Sequence, residues 1–340
     1  MEIKKYKKWL IVSLIISVTS LTIIFMLSST EEAVGIIFTL SPLIILLAIL
    51  FNFLAWIFWT FRIMVLASAL GCKLSFRKAF KIVMVNLFVA AVTPSSIGGE
   101  PMRIYMLSQE SMTNGNMAVG DATALTIGER VIDFIYFGIA LPLMLVFLGL
   151  SVDLKELQYL LLGVAILLAL GGFFLFYIVT HPHKLKGKFG KLEGLIKIFV
   201  KDKDKRKDTM DKIEKEFWAF SQSTLVIFKQ KKLYFLATLG LTAMMWSFGF
   251  LIPSLLLLGF GLEPMWALSY MFQMIIVFIT MIPISPGGSG LAEFSAYILY
   301  GQKIPTEYVG PLVLVWRILT FYMNLFGGLI YTLHYIAKGK

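Results

Sequence analysis

The 340-residue chain is 58% hydrophobic and only 15% charged, with a net charge of +11. A water-soluble domain of this length could not cover so much apolar surface with so few polar side chains, so lipid must be its main solvent. A single cysteine, Cys72, rules out an intrachain disulfide or a thiolate metal cage, and His181, His183 and His334 are confined to a loop and the C-terminus; no metal and no cofactor is expected. The fold class read from this is an all-α polytopic membrane protein.

A basic start (Lys4, Lys5, Lys7, Lys8) leads into an apolar run from Trp9 to Met26, read as an uncleaved first span. Further runs long enough to cross a hydrocarbon core about 30 Å thick lie at 36–70, 119–149, 156–180, 233–259 and 308–337. The overlong ones, 36–70 and 119–149, predict tilt or an interfacial extension. Two more apolar stretches, 79–108 and 265–300, are interrupted: one by T-P-S-S-I-G-G-E-P (Thr93 to Pro101), the other by S-P-G-G-S-G-L-A-E (Ser285 to Glu293). These predict broken-helix hairpins, re-entrant or double-crossing. About six full spans plus the two hairpins are expected.

Fifteen Lys and Arg against seven Asp and Glu between His181 and Lys232 make that loop strongly basic. Basic loops beside spans mark the cytoplasmic side and attract anionic lipid head groups, so direct nucleic-acid binding is not the reading. Within the loop, Ile213, Phe217, Trp218 and Phe220 predict an amphipathic helix at the membrane surface. The positive-inside rule is satisfied throughout only if both termini are cytoplasmic, in the plasma membrane, and each interrupted stretch returns to the side it entered from. The two hairpins then enter from opposite faces. Each follows a span and a glycine-containing corner, at Gly71 and at Gly259 to Gly261, and each precedes an arginine-bearing span. Two inverted repeats are inferred, 36–149 and 233–337, with 1–35 as an N-terminal span and 150–232 as a connecting span and basic loop.

Charges inside membrane segments are costly and default to functional candidates. Glu129, Arg130 and Asp133 lie on one helical face roughly 13–20 Å into the 119–149 span, and Arg317 lies at a matching depth in the last span. Pro94, Gly98, Gly99, Pro286, Gly287, Gly288 and Gly290 allow backbone to turn sharply and free amides at half-helix starts, positions suited to anions. Glu100, Arg103 and Glu293 sit beside these turns. Arginines and amide dipoles suit a phosphate, and glutamates suit an amine, a proton or an arginine.

The segment P-x-x-x-G-G-E-P-x-R (Pro94 to Arg103), E-R-x-x-D (Glu129 to Asp133) and P-G-G-x-G-x-x-E (Pro286 to Glu293) together resemble the lysylphosphatidylglycerol synthase transmembrane, flippase-like family, over nearly the whole chain. The resemblance implies a lipid flippase fold of two inverted repeats, moving aminoacylated phosphatidylglycerol to the outer leaflet in members fused to a soluble lysyl-transferring domain. That domain is not found in this sequence.

The expected function is therefore movement of a phospholipid or lipid-linked head group between leaflets, with Glu100, Arg103, Glu129, Arg130, Asp133, Glu293 and Arg317 at the substrate. A separate synthase or glycosyltransferase chain is an expected partner, and an oligomer is allowed. No G-x-x-x-x-G-K-[ST] loop occurs, so ATP is not the direct drive. Two enzyme readings compete. One is phosphatidylglycerol lysyltransferase, or its membrane subunit. The other is an intramembrane serine hydrolase using Ser289 in G-G-S-G with His334 as base.

Overall fold

The computed structural model describes residues 3–28, 30–93, 98–113, 117–149, 203–282 and 284–338, with isolated positions between 163 and 177. Among the described residues there is helix and no strand, and five helical stretches are long and apolar enough to cross a membrane: Leu10–Leu27, Pro42–Ala69, Val119–Phe147, Lys232–Gly259 and Thr306–Ala337. The chain is an all-α, multi-pass membrane protein. The expected span at 156–180 lies largely outside the described residues.

The first helix, α1 (Ile3–Leu27), is followed by a short α2 (Thr30–Phe38) and then α3 (Pro42–Ala69). The apolar run 36–70 is thus two helices and not one tilted span. Ser41 is extended, its side chain accepts from the Leu43 amide at 3.3 Å, and Pro42 occupies the first helical position. Serine as N-cap followed by proline starts a helix firmly, because proline lacks only an N–H that would be orphaned there.

Helix α3 ends in a Schellman motif. Gly71 adopts φ +80°, the Cys72 amide donates to Ala67 O at 2.9 Å and the Gly71 amide to Ser68 O at 3.0 Å. After this corner come α4 (Phe76–Ala91), the first break, α5 (Gly99–Leu107), the single-turn α6 (Glu110–Thr113) and α7 (Val119–Gly149). The amphipathic stretch of the basic loop forms α8 (Lys203–Leu225), which packs along α7. Glu216 accepts from the Gly120 amide and Ser223 donates to Asp121, so α8 caps the start of α7 with polar partners.

A π turn (Val226–Gln230) leads to α9 (Lys232–Phe250) and α10 (Ile252–Gly259). The second corner repeats the first: Gly261 has φ +77°, with Leu262 N to Leu257 O at 2.9 Å and Gly261 N to Leu258 O at 3.1 Å. Then follow α11 (Trp266–Thr280), the second break, α12 (Leu291–Tyr300), α13 (Thr306–Arg317), a π turn (Ile318–Tyr322) and α14 (Met323–Lys338). At 1.5 Å per residue α5 and α12 each rise only about 14–15 Å, half a hydrocarbon core, so neither crosses alone. Both interrupted stretches therefore have re-entrant proportions.

The strongest packing pairs α3 with α9 and α14 with α4. A Cβ on Gly328 would lie 2.8 Å from Phe88 Cβ, so glycine is what lets α14 approach α4. Leu43, Leu46, Leu143 and Leu233 point outward and exposed, as side chains facing acyl chains do. Helix α1 packs against α4, which leads into the first break, and against α12, which follows the second.

Candidate functional site

The two interruptions touch. The Gly287 amide donates to the Thr93 carbonyl at 3.0 Å, joining the second break to the first through backbone. Gly287, Gly288 and Gly290 all have positive φ, a region where a side chain is strained. Ser13 of α1 donates to Ala91 O at 3.0 Å and so braces the same junction. Pro94 lies outside the described residues. The freed amides expected at the half-helix starts are partly used internally: Gly98 N–H donates to Thr93 Oγ1 at 3.1 Å and Gly290 N–H to Glu293 Oε2 at 2.7 Å.

Beside the first break lies a network of three arginines and three carboxylates. Arg62 of α3 bonds Glu129 Oε1 through Nε at 2.7 Å and Asp133 Oδ1 through Nη1 at 2.6 Å. Arg103 Nη1 lies 3.0 Å from Glu129 Oε2. Trp59 Nε1 donates to Glu129 at 3.2 Å and Trp246 Nε1 to Asp133 at 3.0 Å, while both buried guanidiniums lie 5.8 Å from the Trp59 ring centre. Arg62, Arg103 and Glu129 are wholly buried, and such desolvated charges are tolerable only because each is matched.

Arg130 differs. Its side chain is 31% exposed, its Nη1 is 3.3 Å from Asp133 Oδ2, and its Nε is 3.5 Å from Glu100 Oε1, itself 33% exposed. This is the loosest and most accessible pair of the network. Three positive and three negative charges cancel, so the group is neutral before any ligand arrives.

Beside the second break Glu293 pairs with Arg317 Nε at 3.0 Å and accepts from Ser17 Oγ at 2.8 Å. Ser17 in turn accepts from Tyr322 OH at 3.1 Å, and the Arg317 guanidinium sits 4.1 Å from the Phe321 ring centre, a cation–π distance. Glu293 is also the capping residue of α12, third in the helix with its carboxylate on the Gly290 amide. The two breaks are built alike: a glutamate in the first turn of the second half-helix, Glu100 or Glu293, faces an arginine of the next long helix, Arg130 or Arg317.

A cavity of about 350 Å³ opens next to the first network. Arg130 and Glu100 line it, with Arg62, Asn52, Asn86 and Gln273. Asn52 Nδ2, Asn86 Oδ1 and Arg62 Nη2 are buried with no hydrogen-bond partner. Buried polar atoms normally find partners, so these are positions where a ligand can supply them. A Cβ on Gly99 would lie 2.7 Å from Asn86 Oδ1, so glycine there keeps α5 close to this amide.

Of the seven charged candidates read from sequence, Glu100 and Arg130 reach the cavity. Arg103, Glu129 and Asp133 stand behind them as a closed support, and Glu293 and Arg317 form a sealed pair outside its lining. Arg62, Asn52, Asn86 and Gln273 were not anticipated. Ser289 Oγ is buried without a hydrogen-bond partner, and His334 is exposed on α14, so no base is bonded to that serine.

The family described as "Lysylphosphatidylglycerol synthase TM region" matches residues 10–328. The chain belongs to this family. It is similar to a UPF0104 membrane protein of Archaeoglobus fulgidus, 31% identical over 97% of this chain and 98% of that one. UPF0104 membrane proteins of Pyrococcus horikoshii (24% identical, 95% and 96% covered) and Methanocaldococcus jannaschii (25%, 94% and 93%) are similar over nearly their full lengths too. These relatives thus match nearly the whole chain and not one segment of it.

Proposed function

We propose that this protein moves a phospholipid, or a lipid-linked head group, between the leaflets of the membrane, holding the head group in the cavity beside the first break. The observation that carries this reading is the Arg130–Glu100 pair. It is the one exposed, loose ion pair in an otherwise sealed and neutral network, and it faces a cavity with unpartnered polar atoms.

A phosphate alone would take Arg130 and strand Glu100. A head group carrying both phosphate and ammonium would satisfy both. Head groups of mixed charge are therefore the favoured class, and an aminoacylated phosphatidylglycerol is one such. The two alike breaks, with Schellman corners before them and Glu–Arg pairs after them, support the reading of two inverted repeats around the site.

The test is leaflet exchange in vesicles of purified protein, using chain-labelled phosphatidylethanolamine and phosphatidylglycerol. Arg130→Ala and Glu100→Gln should each slow transfer of the ethanolamine lipid at least tenfold, about 1.4 kcal/mol of barrier. Glu100→Gln should leave thermal stability near wild type, since a partly exposed pair contributes at most about 1 kcal/mol. Arg130→Ala also takes a partner from buried Asp133 and should be less stable, so its transfer rate is read per folded protein. Unchanged transfer in both variants sinks the proposal.

Cytoplasmic termini in the plasma membrane are part of the same reading, and Cys72 makes them measurable. Burial excludes water from its thiol and pushes its pKa up, so at pH 7–8 it holds less reactive thiolate than an open cysteine. The same orientation puts Glu263, in the corner after α10, on the outer side. With a membrane-impermeant maleimide added from outside, wild type should therefore label at least tenfold more slowly than Glu263→Cys. Lys231→Cys should label only after permeabilisation. Labelling with the reverse sidedness overturns the orientation.

A further inference from the structure

A second hollow lies against the first. It is a groove of about 920 Å³, open on its outer side, bounded by α1, α3 and the α13–α14 stretch. Val18, Met26, Ile318 and Phe326 form its exposed rims, and Leu21 and Trp56 its buried floor. Its few polar side chains have already spent their polar atoms. Thr22 Oγ1 donates to Val18 O at 2.9 Å, Tyr322 OH to Ser17 at 3.1 Å, and Trp56 Nε1 to Asn324 Oδ1 at 2.8 Å. The groove therefore presents almost entirely methyl, methylene and ring surface, and a polar occupant would lose most of its hydrogen bonds to water without replacement.

The groove and the polar cavity share a wall. Trp56 lines both. So does the stretch around the π turn: Trp316, Thr320 and Asn324 face the cavity, while Leu314, Ile318 and Phe326 face the groove. A tryptophan suits such a place, with an apolar ring for one side and an N–H for a partner on the other. Gly327 keeps the groove deep here, since a Cβ on it would lie 2.8 Å from Met84 Cε and 3.6 Å from Trp56 Cη2.

We infer that the groove is the hydrocarbon subsite of the transported lipid. One chain of the lipid lies along it, and the junction of head and chain passes over Trp56 into the polar cavity. This inference rests on the head-group reading above. It adds that the substrate is held at both ends, so affinity depends on a hydrocarbon chain as well as on the head group. The occupant is a lipid chain and not a helix of a second copy because the groove shares its Trp56 wall with a charged cavity, which suits a molecule with one apolar and one polar end and which an apolar helix would leave unmatched.

The experiment uses the full chain in vesicles of phosphatidylethanolamine and phosphatidylglycerol, with a phosphatidylethanolamine bearing a photoactivatable group in one acyl chain. Cross-links are mapped by mass spectrometry. They should be enriched at least fivefold at the groove residues Phe25, Leu314 and Phe326 over the more exposed, outward-facing Leu43, Leu143 and Leu233. Arg130→Ala should remove that enrichment. Gly327→Leu should also remove it, and so should Leu314→Trp, which narrows the groove from another wall without pressing on Met84. Both groove variants should keep wild-type binding of chain-free glycerophosphoethanolamine.

Even labelling of all outward faces overturns the groove subsite; if Arg130→Ala still abolishes lipid transfer, the head-group site survives that failure. Groove labelling that persists in Arg130→Ala and Glu100→Gln overturns the link and leaves the groove an ordinary bilayer contact. Cross-linking of two protein chains through Phe25 or Phe326 overturns it in favour of a dimer face.

Discussion

Replacing Arg62 by leucine should destabilise the protein by about 3–5 kcal/mol, the usual cost of leaving a buried ion-pair network short of one partner. Arg62 bridges two carboxylates of α7 from α3, with no exposed side-chain surface. Without it Glu129 retains Arg103 and Asp133 retains Arg130, but each loses its shortest bond. One negative charge then lies uncompensated among buried side chains at membrane depth. Arg62→Lys should recover only part of the loss, because an ammonium cannot hold two carboxylates in the planar fork that guanidinium provides. Glu129→Gln in the Arg62→Leu background should cost less than in wild type, since the two side chains share one network. Thermal unfolding in detergent, followed by size exclusion, measures all three. A loss below about 1 kcal/mol for Arg62→Leu would show that the network does not hold α3 to α7.

Arg62 also shows where sequence reading stopped. The rule that selected Glu129 and Arg317, charge inside an apolar run, applies equally to it. It lies inside the apolar run 36–70 and was not singled out. Once Ser41 and Pro42 are seen to start α3, it falls well inside the helix. The spans themselves were legible because hydropathy over 18 or more residues responds to lipid directly; Val119–Gly149 matches the expected run at both ends. The breaks were legible because proline and glycine act locally. Partner choice was not. Spacing along α7 puts Glu129, Arg130 and Asp133 on one face, yet which carboxylate meets Arg62, Arg103 or Arg130 depends on how α3 and α5 lie against it. Asn52, Asn86 and Gln273 carry no charge penalty and so left no signal. The π turn after Arg317 was equally hidden, because Ile318 to Tyr322 carry no proline, glycine or charge to mark it.

The contact between the two breaks makes the second large prediction. Gly287 has φ +58°, and a Cβ on it would lie 2.6 Å from Ala91 O and 2.9 Å from the Phe321 ring. Gly287→Ala therefore meets three costs. The left-handed backbone costs about 1–2 kcal/mol for any residue with a Cβ. The hydrogen bond to Thr93 O, worth roughly 0.5–1.5 kcal/mol, is stretched or lost as the two breaks move apart. Phe321 must shift, and it carries the cation–π contact of Arg317. Together these come to about 2–4 kcal/mol. Gly261→Ala separates the terms, because Gly261 has φ +77° with nothing within 4 Å of its added Cβ, so it reads backbone strain alone. Thermal stability should fall further for Gly287→Ala than for Gly261→Ala by at least 1 kcal/mol, and lipid transfer should drop about tenfold in the first only. Equal losses in the two variants would mean that the breaks merely lie side by side. Unequal losses, with transfer lost only at Gly287, would mean that the hairpins act on the lipid as one joined element, because the added Cβ presses on Ala91 O and Phe321 where the two breaks meet.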